Sequence, residues 1–212
     1  MKNLPVIAEQ IREAFEIRTK VRDQALMQSR ALTRHCANAI RAVHRSEIDL
    51  ANDHLNEASI LVSQLKKDLQ PYPELFFAGY TQDAIKEFVE ASCTLALVQN
   101  LSLPTPDTLE VEYNTYLNGL AEVTGELRRR CMDILRQGYS EEAERLLSCM
   151  DDIYDVLVTL DYPDAITNGL RRQTDIVRGI VERTRADLTL SLREQDMKKA
   201  MDALRAQLPG RE

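Results

Sequence analysis

The sequence predicts an all-α protein: a single-domain bundle of about six to seven helices. Three observations predict it. Leu, Ala, Arg, Glu and Asp dominate the chain, and only seven Gly and seven Pro interrupt it, a vocabulary that propagates helices. Apolar residues recur at steps of three and four, the period of one helix face, along most of the sequence. No segment alternates with the period of two that a half-buried strand needs. With 212 residues of which 44% are hydrophobic, residues 1–212 can close one core as a single domain.

The first element runs from Ile7 to Arg45, a stretch with no internal Gly or Pro. Ser46 is the N-cap candidate of a second helix, which passes through Leu55, Ile60, Leu61 and Leu65 to Leu69. Pro71 and Pro73 break it. A turn through Phe76, Phe77 and Gly79 leads to Thr81, the N-cap candidate of a helix over Gln82–Asn100. Pro104 and Pro106 make the next break. Leu109, Tyr113, Tyr116, Leu120, Val123, Leu127, Cys131 and Ile134 then trace one continuous stripe that ends near Gly138. Ser140, Glu141 and Glu142 open another helix, which ends around Asp161, Tyr162 and Pro163. The last runs from about Asp164 to Leu208, with Gly169 and Gly179 as candidate bends. The chain holds no internal repeat and no low-complexity linker.

Cys36, Cys93, Cys131 and Cys149 show no CxxC spacing and each falls in a helical pattern, as small core residues of a reduced protein do. No apolar run reaches transmembrane length, and the N-terminal residues are too polar for a signal peptide. The expectation is a soluble cytoplasmic protein without a membrane partner. A net charge of −7 excludes a surface broadly adhesive to nucleic acid. It says nothing about local charge.

Two acidic pairs stand out. Glu87 and Glu90 are three apart, and Glu122 and Glu126 are four apart, so each pair shares one helix face. Glu87 and Glu90 point away from the stripe of Ile85, Phe88, Ser92, Leu95 and Ala96, where a solvated acidic face is the plain alternative. The second half of that helix, residues 91–98, carries no charge on any side and must be covered all round. The pair therefore sits at the edge of a buried element, where carboxylates need partners. Glu122 and Glu126 lie off their own core stripe, beside Gly119, Ala121 and Gly125. Each mid-helix Gly costs about 1 kcal/mol relative to Ala, which suggests that another body approaches closely there. Glu126 has Arg130 at i+4 as a partner. Glu122 has only Glu126 at that distance, a repulsive arrangement that suits ligands better than decoration. Four carboxylates from two helices would make the oxygen-only cage that Mg²⁺ or Mn²⁺ prefers.

Charge is segregated elsewhere too. No acidic residue lies between Asp23 and Glu47. Arg30, Arg34, Arg41 and Arg45 follow at steps of four, seven and four, within about a 60° sector of a helix, and His44 sits beside them. This ladder spans roughly 22 Å, and arginine forks suit phosphate oxygens. The competing arrangement pairs these arginines with Glu47, Asp49, Asp53 and Glu57 of the next helix. His35 points elsewhere and reads as a structural histidine.

Residues 22–45 (RDQALMQSRALTRHCANAIRAVHR), 79–91 (GYTQDAIKEFVEA) and 116–138 (YLNGLAEVTGELRRRCMDILRQG) resemble, in order and spacing, the translin family. The EFVEA and GLAEVTGEL segments look more like translin-associated factor X, the catalytic member, than like translin itself. The resemblance covers nearly the whole chain. It implies an all-α bundle that assembles into a hollow homo-oligomer, an octamer, with RNA bound inside and cleaved with Mg²⁺ held by acidic residues. Glu87 and Glu90 match the two glutamates of the catalytic motif. Glu122 stands where the catalytic member has an aspartate, keeping the carboxylate on an arm one methylene longer, and Glu126 matches the glutamate four residues on.

The function expected is thus a metal-dependent endoribonuclease, with Glu87, Glu90 and Glu122 binding Mg²⁺ or Mn²⁺, Glu126 supporting them, and Arg30, Arg34, Arg41, Arg45 and His44 holding RNA. The alternative is a non-catalytic ring that binds single-stranded RNA or DNA, as resemblance to translin itself would imply. A third class, the all-α nucleoside triphosphate pyrophosphohydrolases, also uses helical ExxE pairs, but its second pair is typically spaced by three, not four.

Overall fold

A computed structural model describes residues 3–207, and these form nine α-helices with no strand among them. They are α1 Leu4–His44, α2 Ile48–Leu69, α3 Pro73–Phe76, α4 Gly79–Val98, α5 Pro106–Leu109, α6 Tyr113–Leu135, α7 Glu141–Thr159, α8 Asp164–Thr167 and α9 Leu170–Gln207. Three of them, α3, α5 and α8, are four-residue turns, so six long helices carry the fold. The all-α expectation holds. No described helix is long and apolar enough to cross a membrane.

The helices pack as two compact units. The first holds α1, α2, α3, α5 and most of α4. Here α1 lies along α2, and Leu32, Cys36 and Ile40 of α1 meet Val62, Leu65 and Leu69 of α2 and Ile85 and Phe88 of α4 in one buried cluster. Burying each such Leu contributes about 1.5–3 kcal/mol. The apolar spacing of four along α1 is what keeps these residues on one face. The first buried residue of α1 is Ala25, however. Before it, Leu4, Val6, Ile7, Ile11, Phe15 and Ile17 are all exposed. At 41 residues the helix is about 60 Å long, nearly twice the length of α2.

The second unit holds α7, α8, α9 and most of α6. α7 buries Leu146, Met150, Ile153 and Leu157, and α9 buries Val177, Val181 and Leu188. Polar ties join its parts: Arg128 pairs with Asp187 at 2.8 Å, and the Asn118 amide donates to the Thr167 carbonyl at 2.9 Å. Arg145 donates to the Leu97 carbonyl at 3.0 Å, satisfying one of the acceptors that a helix end leaves open.

Several boundaries differ from the sequence reading, each for a local reason. Ser46 does not cap α2. It adopts the left-handed conformation at φ 61, its N–H donates to Val43 O, and the Glu47 N–H donates to Ala42 O, which is a Schellman closure of α1. α4 starts at Gly79, and Thr81 is buried inside it, its hydroxyl donating to the Leu75 carbonyl at 2.9 Å instead of capping. The stripe from Leu109 is not continuous, because left-handed Glu110 ends α5 and α6 begins only at Tyr113. Ser140 does cap its helix, accepting from the Glu142 N–H at 3.2 Å. Asn168 and Gly169 are both left-handed and separate α8 from α9. Gly179 lies within unbroken α9. Leu208, the expected end, lies outside the described residues.

Candidate functional site

Glu87 and Glu90 are positioned by the buried face of α4. Ala84, Ile85, Phe88, Val89 and Ala91 anchor that face, which leaves the two carboxylates half-buried at its edge. Beyond them, α4 is covered as its sequence requires: Cys93, Thr94, Leu95, Ala96 and Leu97 are all buried. Both carboxylates bear on Cys36 of α1, whose thiol pKa is pushed up first by burial and then by the charges of Glu87 and Glu90. The acids therefore lie near the C-terminal part of α1.

On α6, Glu122 is half-buried between buried Ala121 and Val123. Its Oε1 accepts a hydrogen bond from the Gln173 amide of α9 at 3.4 Å. Glu126, one turn further along α6, is half-buried too. Its carboxylate reaches Arg129 at 3.6 Å, three residues on, where the sequence suggested Arg130. Nor does anything press on Gly125: a Cβ built there would meet no atom within 4 Å. The close approach expected from a glycine at that position is absent, and open space lies over Gly125.

Arg30, Arg34, Arg41 and Arg45 are all exposed on α1, and His44 is half-buried. Among the described residues none of these four arginines makes an ion pair, so the acids of α2 do not neutralise the ladder. Arg41 bonds locally, donating to the Asn38 side-chain oxygen at 2.8 Å. Sequence reasoning did not find Gln173. A lone glutamine 51 residues from its partner carries no periodic or charge signal.

The translin family model matches residues 9–194. The chain belongs to the translin family. A relative in Methanocaldococcus jannaschii, an uncharacterized protein, is 38% identical over 181 residues, 82% of this chain and 80% of its own. Two solved structures of AfC3PO, one a complex with duplex RNA, are 32% identical with a TM-score of 0.79 and cover 87% of this chain. The alignment takes in 95% of the AfC3PO chain in the RNA complex and 96% in the other crystal. Apo-NeC3PO has the same TM-score of 0.79 at 19% identity, over 87% of this chain and 96% of its own, and shares the translin-type fold.

Proposed function

We propose that this translin-family protein is an endoribonuclease that binds RNA inside a homo-oligomeric ring, an octamer, and hydrolyses it with a divalent ion held by Glu87, Glu90 and Glu122. The observation that supports this reading is a set of half-buried carboxylates in a translin-family chain, Glu87 and Glu90 on one edge of α4 and Glu122 on α6. The donor set fits Mg²⁺ or Mn²⁺: all ligands are oxygen, as hard cations prefer. When bound, the ion supplies positive charge for the scissile phosphate and acidifies a water for attack.

The chain's own groups supply the rest. Glu122 is steadied by Gln173, and Glu126 supports the same face one turn on. The open space over Gly125 leaves room for a substrate beside the acids. The exposed arginines of α1 hold the ribose-phosphate backbone through charge and carry no sequence information. The duplex-RNA complex of AfC3PO supports RNA as the ligand. Binding should then be salt-sensitive and largely indifferent to sequence.

Labelled RNA incubated with the protein in Mg²⁺ or in EDTA tests the proposal. Cleavage in Mg²⁺ alone is expected, and the Glu87→Gln, Glu90→Gln double variant should bind RNA without cutting it. A mobility shift with no metal-dependent product would leave a binding ring. Undiminished cleavage by the double variant would remove the catalytic assignment. Light scattering of the intact protein gives the assembly mass.

A further inference from the structure

His35 of α1 and His54 of α2 face each other with Nδ1 atoms 3.3 Å apart. Their ring centroids are 5.4 Å apart and their planes cross at 66°. Both side chains are half-buried, within reach of solvent. Neither belongs to the carboxylate group or the arginine ladder, and the proposed nuclease chemistry uses neither. The contact is a hydrogen bond when one ring carries its proton on Nδ1 and the other does not. The separation has a second meaning. Two imidazole nitrogens bound at 2.0–2.1 Å to one tetrahedral Zn²⁺ lie about 3.3 Å apart.

We propose that His35 and His54 form a second metal site, a two-histidine clamp between α1 and α2 for a borderline divalent transition metal, Zn²⁺ foremost. Two Nδ1 atoms supply the protein ligands, and water completes the shell. Imidazole selects Zn²⁺, Ni²⁺, Cu²⁺ or Co²⁺ over Mg²⁺, so this site and the carboxylates would take different ions from one solution. Cys36, next in sequence, is not a third ligand, because it is fully buried in the core on another face of α1. An ion shared by two helices binds the folded state and not the separated helices, so it stabilises the fold by mass action.

The test is calorimetric titration of the intact, EDTA-stripped protein with ZnCl₂ in excess Mg²⁺, which keeps the carboxylates occupied. About one Zn²⁺ per chain is expected. Binding should weaken in His35→Gln and His54→Gln by at least the roughly 10–100-fold that even an outer-shell loss costs, and persist in Glu87→Gln. Thermal melts in EDTA establish that the histidine variants fold. Adding Co²⁺ to the wild-type protein gives a readout that needs no variant: intense visible bands of tetrahedral nitrogen ligation are expected. A pale octahedral spectrum, unchanged zinc affinity in both histidine variants, or no zinc uptake by the wild type would each overturn the proposal.

Discussion

The side-chain amide of Gln173, on α9, donates to Oε1 of Glu122, on α6, at 3.4 Å. The bond is long and weak, but a neutral donor at that oxygen limits how the carboxylate can turn. Groups that orient a metal ligand typically change metal affinity 10–100-fold when lost. Gln173→Ala should therefore raise the Mg²⁺ concentration for half-maximal RNA cleavage about tenfold and leave RNA affinity in EDTA unchanged. A metal titration of cleavage rate checks this, and an unmoved midpoint would strip Gln173 of that role.

The arginines of α1 make a separable prediction. Each phosphate contact contributes about 0.7 to 0.9 to the slope of log affinity against log salt. Replacing Arg34 or Arg41 with Ala should lower that slope by nearly one and weaken binding to unrelated RNA sequences alike. Fluorescence anisotropy across a salt series measures it. A loss confined to one sequence would point to base recognition instead.

The joint between α1 and α2 carries a conformational cost. Ser46 holds a left-handed backbone at φ 61, which a side chain disfavours by about 1 kcal/mol and glycine does not. Its hydroxyl makes no capping bond to α2, so little is lost with it. Ser46→Gly should stabilise the protein by about 0.5–1 kcal/mol. A higher urea midpoint at unchanged slope is the expected result.

Alkaline pH should destabilise the fold through its buried thiols. Burial raises the Cys93 pKa from 9.0 to about 12, with a hydrogen bond to Tyr116 opposing it. Burial likewise raises Cys131 to about 12. The unfolded thiols lose their protons near pH 9 while the folded ones keep them. Their contribution is thus whole below pH 9 and is lost as pH rises toward 12, at up to about 1.4 kcal/mol per unit for each thiol. Urea unfolding between pH 8 and 10 should show this decline, shallower in Cys93→Ala. Equal slopes would mean that Cys93 ionises as readily in the folded state.

Much of this was legible in the sequence because punctuation there is chemical. Pro71, Pro73, Pro104 and Pro106 cannot continue a helix: Pro73 and Pro106 open short ones, and Pro71 and Pro104 stand in the breaks between long ones. The arginine ladder was legible because opposite charge is missing from its window. What escaped depends on neighbours distant in sequence or on backbone states that no side chain announces. Left-handed Glu110 divides a stripe whose periodicity from Leu109 to Tyr113 is undisturbed. Thr81 looks like a cap until the Leu75 carbonyl is in place to accept its proton. The space over Gly125 is a fact about what does not pack there, and Gln173 and His54 acquire meaning only through partners on other helices.

The bare apolar strip on the first half of α1 has a thermodynamic consequence. Leu4, Ile7, Ile11 and Phe15 stand in water, where such a surface gains by meeting another like it. If neighbouring copies cover it, then folding and association become one equilibrium, and dilution acts as a denaturant. The melting temperature of this protein should climb with its own concentration.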